Sequence, residues 1–312
     1  MNTRLERRTL FGHDIPPISV GCAQLASNPE AFGYAVSEEL AHATVRAALE
    51  SELNWIDTAA KYGHGESERR VGHVLKEMGG LPEGAFLDTK IGVSQDDRFD
   101  GQSTRDLFAR SQELLGIDTF DLVFLHDPES RSWEEITGPD GALNALLELR
   151  EAGMIRHLGL AGGTVEVMMR YVETGHFEAV ITHNRYTLMN RSADPLIDLA
   201  HERGLPVLNA APYGSGILAK GPEHYPRYAY SVVEGAELER ARELEEICGR
   251  HEVPLAAAAL QFSLRNPRIT GTIVGMTRPE RIGQTLDFAT LPIPEACWDE
   301  LMAVPFDTDD LT

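Results

Sequence analysis

Along the chain, short apolar runs rich in β-branched residues alternate with longer stretches whose apolar positions recur at helical spacing. The short runs predict strands at Ile18–Cys22, Asn54–Asp57, Ala85–Ile91, Asp121–His126, Ile155–Ala161, Ala179–Thr182, Pro206–Ala210 and Gly271–Val274. The periodic stretches predict helices over Ser37–Leu53, Glu66–Met78, Ser103–Leu115, Gly141–Ala152, Thr164–Thr174, Ala193–Arg203, Glu237–Glu252 and Arg278–Asp287. Start signals recur at Ser37, at Thr164 ahead of Glu166 and at Asp194 ahead of Pro195. Glycines at Gly79-Gly80, Gly116, Gly153, Gly175 and Gly204 close the helices.

Eight strand–helix units without a linker or composition break predict one (β/α)8 barrel (a TIM barrel), a single domain over residues 1–312. A doubly wound open sheet is the alternative, but no G-x-G-x-x-G opens the first helix. Residues 4–14 alternate charged and apolar side chains into a Gly-containing turn, which predicts a hairpin ahead of the barrel. Two stretches exceed ordinary connections: residues 212–236, a Gly/Pro/Tyr-rich loop after the seventh strand, and residues 291–312, a tail with an extra helix.

Composition narrows the partners. A net charge of −21, from 49 acidic and 28 basic side chains, repels nucleic acid and anionic membranes. The longest apolar run, Leu255–Leu260, is far short of a membrane span, and no apolar signal-peptide core precedes Val20. The cysteines Cys22, Cys248 and Cys297 are scattered and odd in number, so a reducing, cytoplasmic setting is expected and a disulfide framework is not. The histidines show no metal-ligand spacing, so no metal is expected.

In a barrel, the C-terminal ends of the strands converge on one mouth. Asp57, Lys90 and His126 close the second, third and fourth strands, and Tyr62 lies in the loop after Asp57. Together they form a set with a chemical logic. A tyrosine with a pKa of about 10 is a poor proton shuttle at neutral pH. A neighbouring ammonium favours the phenolate, a carboxylate fixes that ammonium, and an imidazole can orient a carbonyl oxygen. Such a set suits acid–base work on a carbonyl or alcohol, with hydride transfer to or from a nicotinamide as its partner reaction.

The motifs D-T-A-A-K-Y-G from Asp57, D-T-K ending at Lys90, and L-H-D-P around His126 resemble the aldo-keto reductase family, and the resemblance covers nearly the whole chain. It implies Tyr62 as general acid in reduction and general base in oxidation, tuned by Lys90 with Asp57, while His126 orients the substrate oxygen. A-P-Y-G-S-G-I-L after the seventh strand looks closest to the sugar 1-dehydrogenase branch, which includes D-threo-aldose (L-fucose) and L-galactose dehydrogenases, with pyridoxal 4-dehydrogenase nearby. The alternatives are a broad-range NADPH-dependent aldehyde and ketone reductase, a pyridoxal 4-dehydrogenase, or a regulatory nucleotide-binding protein on the same scaffold.

The resemblance also implies NAD or NADP bound without a Rossmann unit. The corresponding positions are Gly21 and Cys22 after the first strand, Ala161-Gly162 where the family has Ser-Asn, and His183 with Asn184. Ala210 replaces the stacking aromatic, and Tyr213, Gly214, Ser215 and Gly216 form an expected pyrophosphate cradle. Gly275 and Met276 stand where the family has Lys-Ser, followed by Thr277, Arg281, Gln284 and Thr285. Losing the lysine shifts the expectation toward NAD or dual use. Gln24, Asp127, Trp133 and the Tyr225–Tyr230 run are the expected substrate contacts, suited to a hydroxyl-rich small molecule. A monomer or small homo-oligomer is expected.

Overall fold

The computed structural model describes residues 5–311, so Arg4 of the expected hairpin segment and both ends of the range 1–312 lie outside the described residues. A hairpin, β1 (Arg8–Leu10) and β2 (His13–Ile15), turns through Phe11 and Gly12, both at positive φ. This is the two-residue turn that matches strand twist. Its Leu10 and Ile15 pack against the aromatic interior of the barrel, including Trp55 and Phe86.

The barrel strands are β3 (Ile18–Gly21), β4 (Trp55–Asp57), β5 (Phe86–Ile91), β6 (Phe120–His126), β7 (Ile155–Ala161), β8 (Ala179–His183) and β9 (Val207–Ala210). A small hairpin, β10 (Arg227–Tyr228) and β11 (Ser231–Val232), sits in the loop after β9. The last barrel strand, β12 (Gly271–Gly275), pairs in parallel with both β9 and β3 and closes the ring. Closure excludes the open-sheet alternative. Among the described residues, no helix is long and apolar enough to cross a membrane.

A short helix α1 (Pro29–Phe32) follows β3; then α2 (Glu38–Leu49), α3 (Glu66–Met78), α4 (Gly101–Leu115), α5 (Trp133–Thr137), α6 (Ala142–Glu151), α7 (Val165–Glu173) and α8 (Asp194–Glu202) alternate with the strands. Ser37 caps α2 through its side chain, as its position predicts. Thr164 makes no such bond. The α7 N-terminus is instead capped by Asp310 from the C-terminal tail, 2.7 Å from the Val165 amide. The loop after β9 contains α9 (Ile217–Lys220), and α10 (Gly235–Arg250) follows. The next helix, α11 (Leu255–Leu264), is absent from the sequence reading because it is apolar on every side. A helix buried all round carries no amphipathic period. α12 (Glu280–Thr290) and the tail helix α13 (Glu295–Ala303) complete the chain.

Glycines decide how tightly these layers meet. A Cβ at Gly159 would lie 2.3 Å from the Phe124 ring, and one at Gly271 would lie 2.5 Å from Trp55, so both strands leave room for aromatics that fill the barrel. Between α3 and α4 the margin is narrower, because a Cβ on Gly72 would stand 1.7 Å from the Leu114 carbonyl oxygen. A backbone carbonyl in a helix cannot yield cheaply. Gly72→Ala is expected to cost about 3 kcal/mol in urea unfolding, whereas Gly79→Ala, in open space, costs about 1 kcal/mol through its positive φ alone.

Candidate active site

Alternation along each strand sends every second side chain to the barrel axis. On β4 these are Trp55 and Asp57, on β5 Phe86, Asp88 and Lys90, and on β6 Leu122, Phe124 and His126. The lower members form the apolar filling, and the upper ones reach the mouth.

Asp57 and Lys90 are each only 2% exposed. Lys90 Nζ donates to Asp57 Oδ2 at 2.5 Å and to the Thr58 carbonyl at 2.8 Å. It lies 5.1 Å from the centre of the Tyr62 ring. The Tyr62 ring stands edge-on to His126, with centroids 5.7 Å apart. The four residues thus form one contiguous cluster. Burial opposes the Lys90 charge, but Asp57, with Tyr62 and Asp88, outweighs it and holds the ammonium above the usual lysine range. Burial also pushes the Tyr62 phenol above its ordinary range, and the pull of Lys90 does not overcome it. This reverses the expectation of a phenol lowered by its ammonium neighbour.

Burial pushes His126 down to about 4, against the opposing effect of Asp127, so the imidazole is neutral at physiological pH. Its Nδ1 is buried without a partner. Burial opposes the charge of Asp127, yet His126 and Lys61 bring that carboxyl down to about 2. Lys61 Nζ lies 3.1 Å from Asp127 Oδ2. Lys61 lines the mouth beside Tyr62, and its signal was present in the D-T-A-A-K-Y-G motif.

The cluster opens into a cavity of about 460 Å³ whose walls include Gly21, Gln24, Asp127, Ala161, Gly162, His183, Ala210 and Gly275. A second cavity of about 460 Å³ continues from it along Tyr213, Ser215, Gly216, Met276, Thr277, Arg281, Gln284 and Thr285. Gln24, Phe32, Ala211, Tyr230 and Gly275 line both, so the two are halves of one cleft. A Cβ on Gly275 would meet the Gln24 amide at 2.4 Å, so that amide fills the space beside the glycine.

The cleft wall also contains residues that the sequence did not reveal. Lys220 sits 3.6 Å from the Tyr225 ring centre and 5.1 Å from that of Tyr34. Tyr225 Oη reaches the Phe32 carbonyl at 3.4 Å. The loops after β3 and β9 therefore meet across the rim, far apart in sequence.

Four residues expected as contacts do not line either half of the cleft. Trp133 does not line the cleft; its ring packs 4.6 Å from Tyr171 with Arg170 3.8 Å above it, joining α5 to α7. Cys22 is fully buried, its thiol turned to the Val20 carbonyl at 3.6 Å. Asn184 is buried and accepts from Ser215 Oγ at 3.2 Å, while its carbonyl accepts from Tyr228 Oη at 2.5 Å. Gly214 packs against Tyr228, where a Cβ would lie 2.2 Å from the ring. In the Tyr225–Tyr230 run, Tyr225 and Tyr230 line the cleft and Tyr228 is packing. Among the described residues, no group of His, Cys, Asp and Glu side chains is arranged to hold a metal ion.

Residues 17–304 match the Aldo/keto reductase family. The chain is 30% identical to D-threo-aldose 1-dehydrogenase from Pseudomonas sp, over 93% of this chain and 94% of that protein. It is 28% identical to pyridoxal 4-dehydrogenase from Microbacterium luteolum, over 85% of this chain and 88% of that one. It is 26% identical to L-galactose dehydrogenase from Arabidopsis thaliana, over 92% and 89%. In fold it is similar to the holo form of an aldo-keto reductase from Bacillus halodurans, with a TM-score of 0.79 and 19% identity, covering 99% of this chain and 98% of that one.

The depressed His126 carries a pH signature. Its folded value lies below the ordinary histidine value of about 6.5, so its share of stability is complete above that value and is lost as pH falls toward about 4. The expected loss is on the order of 3 kcal/mol, read as a urea midpoint that falls with acidification more steeply in the wild type than in His126→Gln.

Proposed function

The chain belongs to the aldo/keto reductase family, whose members are oxidoreductases using nicotinamide cofactors on small molecules, and we propose that it is an NAD(P)-dependent dehydrogenase of aldose sugars. The observation that carries this reading is the buried Asp57–Lys90 pair beneath Tyr62, with His126 across the mouth.

The cleft suits a dinucleotide. It is elongated, has the glycines Gly216 and Gly275 along its length, and ends among Arg278, Arg281, Gln284 and Thr285. Gly162, Ala210 and His183 flank the end nearest Tyr62. A nicotinamide bound there supplies the hydride acceptor or donor. The proton falls to the chain. Tyr62 holds its proton through burial, so it donates to a carbonyl oxygen in reduction, and in oxidation it must first have lost that proton in order to accept the one from the substrate hydroxyl. Lys90, held ionised by Asp57, favours the phenolate whenever it forms. His126 is neutral and so hydrogen-bonds a substrate oxygen without adding charge.

Gln24, Lys61 and Asp127 offer donors and acceptors along the mouth, which suits a ring bearing several hydroxyls. The buried oxygen Gln24 Oε1 has no donor, as a site for a hydroxyl-rich substrate would have. The space beside Gly275 holds this amide and no cation, which favours NAD, while Arg278, Arg281 and Lys220 on the far rim allow NADP as well. The barrel acts as a single catalytic domain in this reading.

L-fucose, L-galactose, D-arabinose and pyridoxal, each with NAD or NADP, form the test panel, followed by absorbance of the reduced nicotinamide. Turnover of a sugar with NAD is expected; activity confined to NADPH and assorted aldehydes would overturn the sugar reading. Tyr62→Phe is expected to lower kcat by about 10²- to 10⁴-fold while cofactor binding, followed by protein fluorescence, is unchanged. Retained turnover in that variant would remove Tyr62 from the chemistry. Because burial raises the phenol, wild-type sugar oxidation is expected to keep climbing with pH through the ordinary tyrosine value of about 10, with no plateau at or below it.

A further inference from the structure

Beneath the proposed proton-handling cluster lies a third acid that this chemistry does not use. Asp88 is wholly buried. It stands two residues before Lys90 on β5, so both side chains project to the barrel axis, and it is registered opposite Asp57 of β4. Trp55 Nε1 donates to Asp88 Oδ2 at 2.6 Å, while Asp88 Oδ1 is buried without a donor. Parallel pairing sets the Asp57 and Asp88 side chains together on the axis side of neighbouring strands, where their carboxyl groups interact.

Two carboxylates offer only acceptors, so neighbouring buried carboxyl groups can hydrogen-bond to each other only when one carries a proton. The groups facing the pair give the same answer. They are Lys90 on β5, Tyr62 after β4, Cys22 after β3 and the Trp55 indole, and Lys90 is the sole cation among them. With both acids ionised, the dry interior would carry a net negative charge at high cost. Of the two acids it is Asp57 that meets the ammonium, at 2.5 Å. Burial first, and Asp57 next, drive the Asp88 carboxyl well above the usual range.

We infer that Asp88 is a positioning residue held in its acid form: it accepts from Trp55 and donates its proton to Asp57, so that Asp57 meets Lys90 in one geometry and with one compensating charge. The inference rests on the proposed role of the Asp57–Lys90–Tyr62 cluster. Lys90 then faces one carboxylate instead of two, and its influence on Tyr62 is correspondingly less neutralised.

Asparagine mimics the protonated acid, with one oxygen for Trp55 and an amide donor for Asp57. Asp88→Asn is expected to oxidise L-fucose with NAD at close to the wild-type rate and with the same pH profile. Asp88→Leu fills the space without either bond and is expected to lose about tenfold or more in kcat with KM little changed. A pH profile displaced in Asp88→Asn would show that a charge had been removed and would overturn the inference.

Two further measurements need no substrate. The unfolded chain releases this proton at about pH 4, whereas the folded protein keeps it, so the contribution of Asp88 to stability is full below that value and declines as pH rises toward its folded value. Asp88→Asn removes the decline. Its urea midpoint should gain steadily on the wild type from about pH 5 to about pH 8, and Asp88→Leu, which also lacks the titrating group, should show the same trend. The carboxylic-acid carbonyl absorption in the infrared spectrum of the wild type at neutral pH should lose the Asp88 component in Asp88→Asn, leaving that of Glu68, which burial pushes up to about 7. A pH-independent gap and an unchanged infrared band would overturn the inference. Absence of turnover with L-fucose in the wild type would count against the sugar reading only, because the unfolding and infrared measurements still decide the state of Asp88.

Discussion

Burial of the Asp57–Lys90 ion pair is the constraint that the mouth of the barrel is built to satisfy. A lone ion in this interior would cost several kcal/mol, and the pair is tolerable because its geometry is close and its remaining donors find partners. Lys90 meets both the Asp57 carboxylate and the Thr58 carbonyl. Strand register makes this possible, since parallel pairing of β4 with β5 sets Asp57 beside Asp88 and leaves Lys90 one inward position higher. Below them Trp55, Phe86 and Phe124 exclude water, aided by the missing side chains of Gly159 and Gly271. The polarity of the site and the apolarity of the barrel filling are therefore parts of one arrangement.

The same dryness sets the proton chemistry. Burial raises the Tyr62 phenol, lowers the His126 imidazole and raises the Asp88 carboxyl, in each case favouring the neutral form. The ion pairs at the mouth are Asp57 with Lys90 and Asp127 with Lys61, and Tyr62, His126 and Asp88 are driven toward their uncharged forms. In the proposed reaction, a proton donor and a neutral orienting imidazole act on a substrate oxygen without bringing further ions into the interior.

The cleft is assembled from segments distant along the chain. The loop after β3 supplies Gln24, Phe32 and Tyr34, the loop after β9 supplies Tyr213, Lys220 and Tyr225, and the end of β12 supplies Gly275 and Met276. The C-terminal tail secures the adjoining wall, where Asp310 caps α7 and pairs with Arg185, and Asp307 pairs with Arg240. The loop over residues 212–236, longer than a connection requires, thus supplies cleft wall, and Asp307 and Asp310 anchor the described end of the tail to the barrel.

The strand–helix alternation, the Gly-stopped helices and the order of Asp57, Tyr62, Lys90 and His126 were legible in the sequence because period, capping and strand-end position are local properties. The barrel class followed from counting those units, and the family resemblance from contiguous motifs. Other features were decided only by tertiary contacts. Helix α11 is apolar on all faces, so no periodicity marks it. Trp133 and Gly214 occupy mouth loops in sequence but pack against Tyr171 and Tyr228, neighbours that a linear reading does not supply. Asp88 was visible in F-L-D-T-K, yet its inward projection matters only once β4 lies beside β5. The sign of the Tyr62 shift was likewise undecidable from residue types, since it is the balance between an attractive ammonium and the loss of water. That balance is set by burial, a property of the folded barrel and not of any segment within it.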